Sequence, residues 1–246
     1  KWAGSALMQD EALAVSIAQA VVEACAPFNV PVTLKMRTGW CQQHKNAVVL
    51  ARRFEDVGIQ MLTVHGRTRE QGYKGQAEYD TIAAVKAAVR VPVVANGDIT
   101  SPEKARAVLA ATGADAVMIG RAAQGRPWIF REIGHYLATG EHLAPPLVAE
   151  VRRLLLEHLQ DHYGLYGEAS GVRSARKHIA WYVRALPGGE ALRQHINTIE
   201  DCAAQWQAVA DFFSALGAQM DRLPSAHDGA DAVPPVRETE HEPEQH

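Results

Sequence analysis

Four short apolar runs in this sequence end in residues able to hold or polarise a ligand. The endings read Lys35-Met36-Arg37-Thr38-Gly39, His65-Gly66-Arg67-Thr68, Asn96-Gly97-Asp98 and Gly120-Arg121-Ala122. Glycine lets a backbone approach a phosphate closely, and free amides beside a helix start attract anions. Asn96-Gly97-Asp98 and Gly120-Arg121 therefore read as a pair of anion-binding loops, although Asn-Gly-Asp alone also fits a tight turn. A second concentration of charge lies further on. Arg173, Arg176, Lys177 and Arg184 are interleaved with His178, Trp181 and Tyr182, with no acid between 171 and 184. Such a stretch is either a solvated helix face with Trp181 turned inward or a helix that contacts phosphates.

Two other groupings count for less. His158 and His162 have the i, i+4 spacing of a metal pair, but Glu-His-Leu-Gln-Asp-His is not the zinc-protease motif, and a polar helix face with no metal is expected. Cys25, Cys41 and Cys202 are odd in number and far apart, which fits neither a metal site nor a disulfide framework and favours a reducing cytoplasm. Cys41 is expected to be an ordinary loop thiol.

The elements that must position these residues follow from periodicity. Buried strands are predicted over Val30–Arg37, Ile59–His65, Val91–Asn96 and Ala114–Ile119, each a continuous apolar run. Helical stretches fall near Asp10–Cys25, Asn46–Val57, Tyr79–Val89, Pro102–Ala111 and Pro127–Leu137. Strands alternating with helices imply βαβ units and a parallel sheet, whose ligands bind at the carboxyl ends of the strands. Ser101-Pro102 reads as an N-cap followed by a first-turn proline, and Gly58 and Gly113 as left-handed helix ends. After Ala144-Pro145-Pro146 the pattern is helical from Leu147 to Leu223, broken at Tyr163–Gly171 and at Pro187-Gly188-Gly189, which predicts a bundle of three or four helices.

Composition bounds the rest. With 47% hydrophobic and 22% charged residues, the chain has an ordinary globular balance. No unbroken run of eighteen apolar residues occurs, so no transmembrane helix is predicted, and Lys1-Trp2-Ala3-Gly4-Ser5 does not read as a signal peptide. From Pro224 onward six acids and one arginine give −5 of the net −3, leaving the preceding 223 residues at +2. This tail is poor in large apolar groups and is expected to be disordered. A nearly neutral body can hold nucleic acid only through a local basic patch.

Five ordered strings, from Gly4-Ser5-Ala6-Leu7-Met8 through Val32–Trp40, His65–Arg69 and Ala95–Ile99 to Met118–Trp128, resemble the bacterial tRNA-dihydrouridine synthases. The likeness is to their B-type branch and extends to about residue 222, with Ala175-Arg176-Lys177-His178 among its specific motifs. It implies an FMN-dependent (β/α)8 TIM barrel followed by a helical tRNA-binding domain. In such enzymes NADPH reduces the flavin, a hydride reaches C6 of a uracil, and a cysteine protonates C5. Carried over to this sequence, Lys35 contacts the flavin ring, where a cation stabilises its anionic reduced form. By the same resemblance Asn96, Gly97, Asp98, Gly120 and Arg121 hold the ribityl phosphate, while Arg37, His65 and Arg67 line the pocket near flavin and uracil. The basic segment Arg173, Arg176, Lys177 and Arg184 becomes the tRNA contact. No metal and no membrane partner is implied.

Length alone, at 246 residues, suits one entire barrel of about 250. The strand count says otherwise. Four strands are expected here, and the resemblance puts four more, with the Asn-Met-Gly-Cys-Pro stretch of the catalytic cysteine, before Lys1. The expected organisation is residues 1–143 as the last four strands of the barrel, 144–223 as the helical domain and 224–246 as the acidic tail. Such a chain is expected to be inactive or nearly so alone, and to self-associate through open strand edges beside Val32–Met36 and Val117–Ile119. Two alternatives stay open: another FMN-dependent barrel acting on a free small molecule, and a non-catalytic tRNA-binding remnant.

Overall fold

The computed structural model describes residues 3–224. Apart from Pro224, the acidic tail lies outside them. The chain divides into two compact units, Lys1–Leu143 and Ala144–His246.

The first unit is α/β. Strands β1 (Thr33–Arg37), β2 (Met61–His65), β3 (Val93–Asn96) and β4 (Ala116–Met118) form one parallel sheet in the order β1-β2-β3-β4. Each lies within the run predicted for it and begins later than the run does. Pro31 and Pro92 account for part of this, because a proline has no N–H to give a ladder. Helices α1 (Glu11–Cys25), α2 (Ala47–Asp56), α3 (Asp80–Ala88), α4 (Pro102–Thr112) and α5 (Ile129–Thr139) occupy the expected helical stretches. The local signals are used as read: Ser101 Oγ accepts from Lys104 N–H at 3.2 Å, and Gly113 closes α4 with φ 66°. The core joins Leu50, Phe54, Ile82, Val85, Ala105 and Val108 of the helices to one sheet face, that of Met36, Leu62, Val64, Val93 and Ala95. Parallel strands alternate faces, so Lys35, Arg37, Thr63, His65 and Asn96 point the other way.

Helix α1 bears on the expectation of no transmembrane helix without overturning it, since by length and composition alone a core helix of a soluble protein can also pass as a span. With the turn after it, Glu11–Phe28 is long and apolar enough to cross a membrane, at a mean hydropathy of 1.3. Ser16, Gln19 and Glu23 interrupt the apolar residues, so the stretch is no unbroken apolar run. Its apolar groups are little buried: Leu13, Ile17 and Val21, one stripe at i, i+4 and i+8, are 42–44% exposed. Beside them a mainly apolar cavity of about 480 Å³ opens between α1 and β1, reaching Leu34, Lys35 and Arg37. β1 and β4 each pair with one neighbour among the described residues.

Among its described residues the second unit is built of helices, α6 (Val148–Tyr166), α7 (Glu168–Val183), α8 (Gly189–Ile196) and α9 (Cys202–Gly217). Leu155, Leu159, Val172, Ile179, Ile196, Val209 and Phe213 fill its core. Gln205 is fully buried but satisfied: Tyr163 Oη donates to its carbonyl at 2.8 Å and its amide donates to Val172 O at 3.2 Å. The predicted break at Tyr163–Gly171 is much narrower, a corner at Gly167 with φ 73°. Residues 168–171 continue as helix because α7 packs closely on α6 there, against the Tyr163 side chain.

Candidate functional site

Register assembles the site. Across the parallel ladder Arg37 pairs with His65, His65 with Asn96, and Asn96 with Met118. Residues far apart in the sequence thus form one row at the carboxyl ends of the strands, with the Gly97-Asp98 and Gly120-Arg121 turns just beyond.

Some of these groups bind each other. Arg67, only 2% exposed, makes a two-pronged ion pair with Asp98, Nη1 to Oδ1 at 3.0 Å and Nη2 to Oδ2 at 2.7 Å. Asp98 Oδ2 also accepts from Ala77 N–H at 2.8 Å, and Arg121 reaches Oδ1 at 3.3 Å. Partial burial opposes ionisation, but the Ala77 and Arg67 bonds outweigh it and hold the Asp98 carboxyl below its usual range. Asn96 Nδ2 donates to Met118 O at 2.9 Å, clamping β3 to β4. Arg37 Nη1 donates to the carbonyls of Thr68 and Gly72 at 2.9 and 3.0 Å, anchoring the loop between β2 and α3.

Other groups are left for a ligand. Lys35 and the His65 ring have no hydrogen-bond partner among the described residues, although His65 is only 7% exposed. Desolvation, then the charges of Arg37, Lys35 and Arg67, push the His65 imidazole down to about 4, so it is neutral at pH 7. Desolvation and Arg37 likewise lower the Lys35 ammonium below its usual value. The backbone N–H groups of Gly97, Asp98, Gly120 and Arg121 donate to nothing among the described residues. Gly97, at φ 128°, and Asp98, at φ 50°, form a tight turn held by Tyr79 Oη on Gly97 O at 2.9 Å. A Cβ on Gly97 would meet Ala77 Cβ at 2.7 Å and His65 Cδ2 at 3.2 Å, so this turn admits no side chain.

These features fit a flavin phosphate and ring as donors: open amides in two adjacent turns, the half-exposed Arg121 guanidinium, and an unpartnered cation on the same side of the sheet. Asp98 and Asn96 contribute by shaping the turns, since their side chains are engaged with protein.

Tyr73 was missed from sequence. Its ring is 51% exposed, with the Arg121 guanidinium 4.6 Å and the Arg37 guanidinium 5.9 Å from its centroid, and His65 6.2 Å away. An aromatic residue between Gly72 and Gly75, soon after a strand-end His-Gly-Arg, was the available signal.

In the helical unit the basic segment divides. Arg173, Lys177 and Arg184 are exposed, Lys177 with its ammonium 4.9 Å from the Trp181 ring centroid. Arg176 is turned into the fold, donating to Ile199 O and to Glu200, each at 2.8 Å. His158 and His162 stack with His178, and His162 Nε2 lies 2.7 Å from Ser174 Oγ. Among the described residues no group of three His, Cys, Asp or Glu has the geometry to hold a metal. Cys41 Sγ lies 3.1 Å from His44 Nδ1 in the loop after β1.

The first unit has a parallel sheet with cationic side chains and open amides at its strand ends, and the helical unit that follows in sequence carries exposed arginines; the class these define is an α/β protein with a helical extension. Residues 1–216 match the dihydrouridine synthase (Dus) family, and the chain belongs to it. Proteins named tRNA-dihydrouridine synthase B are similar to it. That of Pseudomonas putida is 59% identical over 214 residues, covering 87% of this chain and 63% of that protein. That of Xanthomonas axonopodis is 57% identical over 215 residues, covering 87% and 64%. For Salmonella typhimurium the figures are 55% over 213 residues, 87% and 65%. The chain thus spans a little under two thirds of the length of these relatives. Among solved structures the YdjI aldolase from Escherichia coli K12 is similar over 85% of this chain and 56% of that chain, at 12% identity and a TM-score of 0.35. That likeness is too loose to bear on fold or function.

Proposed function

We propose that this chain is the flavin-phosphate and RNA-contacting portion of a tRNA-dihydrouridine synthase, which reduces a tRNA uridine to 5,6-dihydrouridine with NADPH as the reductant. The observation that carries this reading is the family match, which runs unbroken through both units to residue 216. FMN, when bound, supplies the two-electron chemistry, a hydride taken from NADPH and delivered to C6 of the uracil. The residues of this chain bind and orient. Open amides of the Gly97-Asp98 and Gly120-Arg121 turns, with the Arg121 side chain, hold the phosphate. Lys35 balances negative charge on the ring, and its neighbour Arg37 keeps Tyr73 at the mouth of the site. His65, neutral at physiological pH, offers hydrogen bonds without adding charge beside three cations. Arg67 acts through Asp98, fixing the turn from below. The uridine must leave its stack to reach such a rim, so RNA has to be gripped elsewhere, and the exposed Arg173, Lys177 and Arg184 are assigned to that grip.

The four strands are read as the last half of a (β/α)8 barrel. The sheet is parallel, carries its helices on one face, and has two outer strands with single neighbours, as a half-barrel requires. In the family pattern the proton for C5 comes from a cysteine outside this chain. The purified chain, given FMN, NADPH and unmodified tRNA, is therefore expected to form little or no dihydrouridine and to self-associate. Fused behind the N-terminal portion of the Pseudomonas putida relative, it is expected to restore the reaction, followed as NADPH oxidation and as dihydrouridine in digested tRNA. A folded, FMN-loaded chimera that leaves tRNA unmodified would overturn the proposal.

A further inference from the structure

Between residues 171 and 184 the sequence of α7 has no acid, yet the fold supplies one. Glu200, in the turn before α9, places Oε1 2.8 Å from Arg176 Nη2 and Oε2 3.6 Å from Arg173 Nε. One carboxylate spans two guanidiniums a helical turn apart, the arrangement the two free oxygens of a phosphodiester adopt between paired arginines. The three partners differ in freedom. Side chains of Glu200 and Arg173 are 62% and 69% exposed, whereas that of Arg176 is 22% exposed and anchored to Ile199 O. Arg176 stays in place when its anion changes; Glu200 and Arg173 can swing into solvent. Exposed pairs of this kind are weak, so an arriving phosphate displaces the carboxylate at little cost. Lys177 and Arg184 extend the positive face along the same helix.

We propose that Arg173 and Arg176 form an RNA-phosphate subsite in which Glu200 is the resident counter-anion, so that Glu200 sets how tightly the helical unit holds an RNA backbone. This rests on the RNA-binding reading above and adds a residue whose charge opposes binding. The test uses the full chain and an unmodified tRNA transcript, with affinity measured by fluorescence anisotropy at about 50 and about 200 mM salt. Glu200→Gln keeps an acceptor for Arg176 and is expected to melt at the wild-type temperature. It is expected to bind roughly two- to fivefold tighter at the lower salt, with most of the gain lost at the higher. Arg173→Ala is expected to weaken binding and flatten the salt slope by about one. In the Arg173→Ala background the Gln substitution should gain less than in the wild type. Equal affinities of wild type and Glu200→Gln, where both bind, would overturn the role of Glu200 alone. A wild-type chain that binds no RNA would overturn the RNA-binding reading and this inference with it.

Discussion

Arg37, His65 and Asn96 stand about thirty residues apart in the chain and fall in one row, whereas four cations within twelve residues along α7 and its C-cap share a face but not an environment. The difference is geometric. Parallel pairing fixes the offset between strands, so residues that end successive strands must come together whatever separates them. On a helix, residues at i, i+3, i+4 and i+11 share one face, but which neighbouring loop each side chain meets along that face is left to packing. Arg176 therefore went inward to Ile199 and Glu200 while Arg173, Lys177 and Arg184 stayed out. Strand pairing fixes which strand-end residues meet, whereas a shared helix face does not fix what each side chain on it meets.

The largest expected effect is at the base of the row. Arg67→Ala strips a nearly buried partner from Asp98, and about 3 kcal/mol of stability is expected to go, measured by urea unfolding, with FMN affinity falling as well. Gly97→Ala is expected to cost a similar amount, about 3 kcal/mol, from backbone strain and the clash with Ala77. If either variant unfolds like the wild type, the row is not held by this turn.

Acid should loosen both units, for one reason. His65 titrates near 4 in the fold against an ordinary 6.5, so it favours the neutral form. The stability this contributes is complete above about 6.5 and is lost as pH falls from there toward 4. Burial and the neighbouring His158 lower His162 and His178 too, with the same sign. His65→Gln is expected to flatten the acid limb for the α/β unit only, read from hydrogen exchange of β2 and β3 against α6 and α7. Equal flattening in both units would deny that His65 acts locally.

Within the helical unit the split can be tested directly. Arg176→Ala is expected to cost about 1–2 kcal/mol by leaving Ile199 O without its donor and to weaken RNA binding as well, while Arg184→Ala leaves stability unchanged and only lowers the RNA salt slope by about one. Matching effects from the two would erase the distinction. The smallest effect is a control on local signals: Ser101→Ala removes one cap bond and should cost about 1 kcal/mol by thermal melting, with FMN affinity unmoved.

Much of the α/β unit was legible in order. Its four strands and five helices follow from apolar runs and caps, because propensity and periodicity are local properties. Lys35, Arg37, His65 and the two glycine turns could be named because each lies at a strand end, where the chain must turn and ligands collect. Tyr73 has only the weak signal of an aromatic between two glycines, since nothing local says that the loop carrying it is tied to Arg37 through Gly72. Asp98 was expected in the turn that holds the phosphate, but no local pattern says that its carboxylate is shared with a buried arginine while its N–H stays open. The corner at Gly167 was overestimated for a related reason: small residues read as breaks until tertiary packing on Tyr163 holds them helical.

By itself, then, the sequence determined which residues can form strands and helices, where those elements stop, and which chemical groups sit at the stops. Only the tertiary structure decided which of those groups are spent on one another. Arg67 with Asp98, Asn96 with Met118 and Arg176 with Glu200 are pairs across the fold. Most buried polar groups find a partner, and which partner lies within about 3 Å is a property of packing that no local pattern records.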